Sequence, residues 1–131
     1  MKKTGMDKLF DKYVKRIQSG DTKAMNEIAL IFQNNYEDEN AEKWFLKAIE
    51  AGDYEYANNL GYLYATQNNS KKAEKYYIIA IKNGDLNALN NLAVLYEQNG
   101  KNEKAEEYYL KAVEKNCEGA RNNLLIFYNK T

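Results

Sequence analysis

Apolar side chains in this chain recur every 32 residues. Ile28, Leu60, Leu92 and Leu124 stand at successive intervals of 32, and so do Phe32, Tyr64, Tyr96 and Tyr128. Ala41, Ala73 and Ala105 share a third offset. Trp44, Tyr76 and Tyr108 share a fourth, and Ala48, Ala80 and Ala112 a fifth. No gap is needed to keep this register. A fixed period of this size marks a stacked-repeat protein, in which each helical unit buries its apolar face against its neighbours.

Polar punctuation divides the period. Gly20-Asp21, Gly52-Asp53 and Gly84-Asp85 are 32 apart. Glycine accepts the left-handed conformation that ends a helix, and aspartate can cap the free N–H groups that start the next. The pattern predicts first helices over 22–34, 54–67 and 86–98, and second helices over 39–50, 71–82 and 103–115. Asp38, Ser70 and Asn102, each 32 apart, are the expected N-caps of the second helices. The units then run 20–51, 52–83 and 84–115. Leu9, Phe10, Tyr13, Val14 and Ile17 fall at helical spacing among charges, which predicts an N-terminal capping helix over 6–18. Residues 116–131 form a C-terminal half repeat with a helix over 118–129. No proline interrupts these elements.

The expected fold class is therefore all-α: a solenoid of antiparallel helix pairs, about eight helices, in one domain over 1–131. Each helix of about 13 residues would be about 20 Å long and marginal alone, so packing must hold it. Ala48, Ala80 and Ala112, with Gly61 and Ala93, permit close helix approach. Phe45, Tyr64, Tyr77 and Tyr109 fill the wider gaps, with hydroxyls free to reach solvent or a backbone carbonyl.

Composition narrows the function. Lys+Arg and Asp+Glu are both 19, so the net charge is +0. That balance argues against a nucleic-acid partner and against a polybasic membrane anchor. No stretch approaches the roughly 20 apolar residues of a membrane span. Met1-Lys2-Lys3 resembles the start of a secretory signal, but Asp7, Lys8, Asp11 and Lys12 interrupt any apolar run. A cytoplasmic location is expected. Histidine is absent, and Cys117 is the one cysteine, so His-based catalysis, a His or multi-Cys metal site and an internal disulfide all lack their residues. The glycines serve as helix stops and form no phosphate loop. No cofactor, no metal and no catalytic activity are expected.

The second unit carries Ala57, Leu60, Gly61, Tyr64, Ala73, Tyr77 and Ala80, and the third Leu92, Ala93, Tyr96, Ala105, Tyr109 and Ala112. This small/large/small order resembles the tetratricopeptide repeat. The Gly-Asp turn, in place of a proline-bearing one, and the run 105–112 are similar to the Sel-one-like branch of that superfamily. The resemblance implies a right-handed superhelix with first helices lining a concave face, and a protein or peptide partner.

On the first helices Asn26, Asn58, Asn90 and Asn122 share one offset, followed by Glu27, Asn59, Asn91 and Asn123. An asparagine amide both donates and accepts, so such a row could grip a peptide backbone. The alternative is that asparagines beside the packing leucines, Asn59, Asn91 and Asn123, are inherited with the packing pattern of the superfamily this chain resembles. Four residues on stand Leu30, Tyr62, Val94 and Ile126, on the same helix face. They would form an apolar floor or belong to ordinary helix packing. Lys23, Glu55, Asn87, Gln33, Glu97 and Gln98 surround that floor with near-neutral chemistry, unlike grooves that clamp a terminal carboxylate. The expected partner-binding set is Asn26, Leu30, Asn58, Asn59, Tyr62, Asn90, Asn91, Val94, Asn122 and Ile126. A second candidate is the run Leu124-Leu125-Ile126-Phe127, whose outer face would support a homo-oligomer through the C-terminal helix.

Overall fold

A computed structural model describes residues 4–130. These residues form eight helices and no strand: α1 (Gly5–Gln18), α2 (Thr22–Asn34), α3 (Asp38–Glu50), α4 (Ala57–Thr66), α5 (Ser70–Lys82), α6 (Asn87–Gln98), α7 (Asn102–Glu114) and α8 (Ala120–Asn129). Two compact units divide between Tyr56 and Ala57. In the first, α2 packs against α1 and α3. In the second, α4 through α8 pack in sequence as adjacent pairs, and α4 also touches α6. This is the helix-pair arrangement of a helical repeat.

A turn of one design joins the helices every 16 residues. Gly20, Tyr36, Gly52, Asn68, Gly84, Gly100 and Asn116 all have φ between 58° and 91°. At each, the residue's own N–H bonds back three residues and the next N–H bonds back five. At Gly84 these are Gly84 N to Ile81 O at 3.0 Å and Asp85 N to Ala80 O at 2.9 Å. The pair of bonds satisfies the last carbonyls of the outgoing helix. The glycine signal marked only the turns between units. The turns within units, at Tyr36, Asn68 and Gly100, and the last one, at Asn116, use the same geometry.

This design corrects three expectations. Asp38, Ser70 and Asn102 are the first residues of their helices, and the caps are Glu37, Asn69 and Lys101. The residue after the left-handed one serves both helices, so the cap falls one position earlier. Only Asn69 of these three caps with its side chain, accepting from the Lys72 N–H at 3.3 Å. Asp21 does cap α2, accepting from Ala24 N–H at 3.2 Å. Asp53 and Asp85 instead accept from Glu55 and Asn87 N–H, two residues on, at 3.1 and 3.2 Å. These side-chain turns delay the helices, so α4 begins at Ala57 and α6 at Asn87. With Gly119 also left-handed, α8 starts at Ala120. The opening helix carries a reciprocal cap that periodicity does not reveal, with Thr4 and Asp7 bonding each other's backbone N–H at 3.1 Å.

The core is built from the periodic positions. Ala41, Ala48, Ala73, Ala80, Ala105 and Ala112 are fully buried. Aromatics bridge each helix pair of the second unit. Tyr64 stacks on Tyr76 at 5.6 Å, and Tyr96 meets Tyr108 at 5.5 Å. Lysines cover these rings from outside: Lys72 over Tyr64 at 5.3 Å and Lys104, 32 residues on, over Tyr96 at 5.4 Å. Two of the buried hydroxyls find carboxylates rather than backbone carbonyls. Tyr96 donates to Glu74 at 3.0 Å and Tyr109 to Glu97 at 2.9 Å. In α1 the alanine offset is occupied by Arg16, which pairs with Asp21 at 2.8 Å and Glu27 at 3.2 Å. The Arg16 hydrogen bond holds the Asp21 carboxyl below its usual range.

Candidate groove between α4 and α6

The close packing that shapes the site begins at Gly61. A Cβ there would lie 2.6 Å from Tyr77 Cδ1 and 2.8 Å from Cε1. The missing side chain lets the Tyr77 ring of α5 lie against the α4 backbone. One turn on, Ala65 stands where the next unit has Glu97. Tyr109 donates to that carboxylate, whereas at Ala65 no carboxylate is present for Tyr77. Burial, with Tyr62 nearby, pushes the Tyr77 hydroxyl up to about 12, so it is neutral at physiological pH.

Across α4 and α6, Asn91 Nδ2 donates to Asn58 Oδ1 at 2.9 Å. Beyond this link lies an open depression of about 240 Å³. Tyr62, Ala65 and Thr66 line it from α4, Asn91, Val94, Leu95 and Gln98 from α6, and Tyr77 from α5. Tyr62 is 55% exposed and Val94 38%. Both hold the same offset within their units, and both leave apolar surface open to solvent.

The other expected residues occupy different surroundings. Asn59 and Asn90 are half-buried, and Asn90 Oδ1 is enclosed without a hydrogen-bond partner. Asn122 and Ile126 are exposed on α8. Asn122 lines a separate shallow depression with Val113, Cys117 and Arg121. In the first unit Asn26 is only 2% exposed, its Nδ2 enclosed without a partner, and Leu30 is half-buried. Asn58, Tyr62, Asn91 and Val94 are therefore the four that the second unit brings together. Gln98, expected at the edge of the floor, lines the depression. Ala65 and Thr66 follow Tyr62 at helical spacing and could have been found that way. Tyr77 reaches the groove only because Gly61 opens the path, which a pattern of packing residues does not show.

Charge is sorted between the two kinds of helix. The ten residues of α4 include no charged side chain, and the twelve of α6 include only Glu97. By contrast α5 carries five charges in thirteen residues and α7 six in thirteen. Glu97 is engaged internally: Lys130 Nζ lies 3.0 Å from Oε2, and Tyr109 bonds Oε1. The Lys130 hydrogen bond, helped by Tyr109, holds the Glu97 carboxyl below its usual range against the opposing effect of burial. No cluster of residues able to hold a metal ion occurs among the described residues, and none of the described helices is long and apolar enough to cross a membrane.

Residues 58–120 match the family model described as tetratricopeptide repeat. The match supports the tetratricopeptide-repeat superfamily. It spans α4 from Asn58 through the first residue of α8, and so includes the whole depression. Tetratricopeptide repeats in general mediate protein–protein interactions and are typically non-catalytic scaffolds. No curated protein matches the chain.

Proposed function

We propose that this chain is a non-catalytic interaction module of the Sel-one-like type that takes a segment of a partner protein in the groove of α4 and α6. In this reading it acts in the cytoplasm as one domain over 1–131 and needs no cofactor, nucleic acid or membrane. The observation that supports it most is the pair Tyr62 and Val94, two apolar side chains left in solvent at one offset of adjacent first helices. Partly exposed apolar side chains beside hydrogen-bonding amides are what a peptide groove offers. Asn58, Asn59, Asn90 and Asn91 supply those amides, with Asn122 and Ile126 extending the surface along α8, and Asn26 and Leu30 its counterpart in the first unit.

The test compares capture from lysate of the source organism by the wild-type chain and by Val94→Asp, with equal helicity established first by circular dichroism. Val94 is exposed enough for the charge to reach water, so folding is retained. A protein held by wild type and lost by the variant supports the groove. Equal retention rejects it.

A second reading rests on α8. Leu125 is 61% exposed and Ile126 51%, on a helix of ten residues, with Tyr128 also open. Self-association through this face would make the chain a structural, oligomerising repeat protein. Sedimentation of wild type against Ile126→Lys decides it: a monomeric wild type ends this reading.

A further inference from the structure

We propose, resting on the groove reading above, that the segment held between α4 and α6 is an uncharged one, seated by a single apolar side chain between Tyr62 and Val94. The distribution of charge, more than apolar exposure, selects such a ligand. The eight residues around the depression include no acid and no base. The helix that forms one wall carries no charge at all, and the other carries only Glu97, already engaged by Lys130 and Tyr109. A charged ligand group entering here would lose water and find no counter-charge, which is strongly unfavourable. An apolar group loses nothing by the same move and covers Tyr62 and Val94. The polar groups that line it are neutral: the amides of Asn91 and Gln98, and the Thr66 hydroxyl, which donates to Leu63 O at 2.7 Å and keeps its oxygen as an acceptor for a peptide N–H.

Two further features fit the ligand to one anchor. A depression of about 240 Å³ has room for one leucine- or phenylalanine-sized side chain. The Asn91–Asn58 hydrogen bond, made across the two walls, fixes one end of the depression and keeps Asn91 oriented. Specificity then comes from excluding charge rather than from recruiting it. Because no ion pair forms, affinity is nearly independent of salt.

The probe is a pool of N-acetylated, C-amidated nonapeptides, randomised over all side chains and selected on the full 131-residue chain. Selected peptides are then measured by fluorescence anisotropy at about 50 and about 500 mM NaCl, a range over which exposed charge pairs are largely screened. The expected result is an uncharged core around one apolar residue, with affinity changing less than about twofold between the two salts. Replacing that residue by Lys or Asp weakens binding at least about a hundredfold. Tyr62→Glu and Val94→Lys, both at exposed positions, each abolish it. Peptides that need the groove by this criterion but carry a charged anchor, or lose more than about tenfold in high salt, overturn the uncharged ligand and leave the groove standing. Peptides bound equally by both variants, or no selected peptide, overturn the groove reading and this inference with it.

Discussion

Gly61→Ala tests the contact on which the groove floor depends. Two effects of opposite sign meet at this residue. Alanine favours the interior of a helix over glycine by about 1 kcal/mol. Against this, the new methyl would stand 2.6 Å from Tyr77 Cδ1 and 3.2 Å from Cγ. Carbon atoms prefer about 3.5–4.0 Å, so the overlap approaches about 1 Å. The neighbours that must give are atoms of the ring and its root, on a side chain only 2% exposed. They are not the free end of a flexible chain. Overpacking a filled site costs about 1–3 kcal/mol, and a ring this deeply buried belongs in the upper part of that range. The net expectation is a loss of about 1–2 kcal/mol despite the better helix former.

Urea unfolding followed by far-UV circular dichroism measures this as a lower midpoint at unchanged slope. Tyr77→Leu in the Gly61→Ala background should recover part of the loss, with a coupling of about 1 kcal/mol or more. The equivalent residue of the next unit supplies a control. Ala93 already carries a methyl, and Tyr109 there is drawn to Glu97. Ala93→Gly should therefore lose about 1 kcal/mol from the glycine penalty and about 0.8 kcal/mol more from the buried methyl it removes. A Gly61→Ala protein about 1 kcal/mol more stable than wild type would refute the reasoning, because it would show the Tyr77 ring free to move aside.

Asn26→Leu should raise stability by about 1 kcal/mol in the same assay, because it removes a buried amide donor that has no partner; a loss would show that contacts of the amide hold α2. Tyr36→Gly should stabilise by about 0.5–1 kcal/mol, since the ring is 92% exposed and the backbone left-handed, and an unchanged midpoint would refute strain there. Stability should also fall in alkali. Burial raises the hydroxyls of Tyr77, Tyr96 and Tyr109 above their usual value, with Glu74 adding to the effect on Tyr96 and Glu97 to that on Tyr109. A raised folded value means the contribution is intact below about pH 10, where unfolded tyrosine begins to ionise, and is lost as pH climbs through the folded values. The slope reaches about 1.4 kcal/mol per pH unit for each tyrosine, and Tyr77→Phe should remove its share; a flat profile between about pH 9 and about pH 11 would contradict the burial of all three.

The repeat made the backbone legible and left the site half hidden. Period and punctuation located every helix, because apolar offsets and glycine stops are properties of residue type. They placed the breaks around Tyr36 and Asn116 but not their left-handed geometry, because that conformation belongs to the backbone, and a residue other than glycine can be held there by the bonds that end the helix before it. The asparagine offset shows the limit more sharply. Asn26, Asn58, Asn90 and Asn122 have one position in the period and four environments: enclosed, bonded to Asn91, partly enclosed, and exposed. What differs is not the residue but what the adjacent helices bring to it. The same holds for Tyr77 and Tyr109, alike in period. Ala65 leaves the first against Gly61 at the floor of the depression, while Glu97 draws the hydroxyl of the second and couples it to Lys130. Identical offsets build the helix pairs, and departures from identity decide where a groove can form. Substitutions at Gly61 and Ala65 should therefore reshape the groove more than any change within the asparagine row.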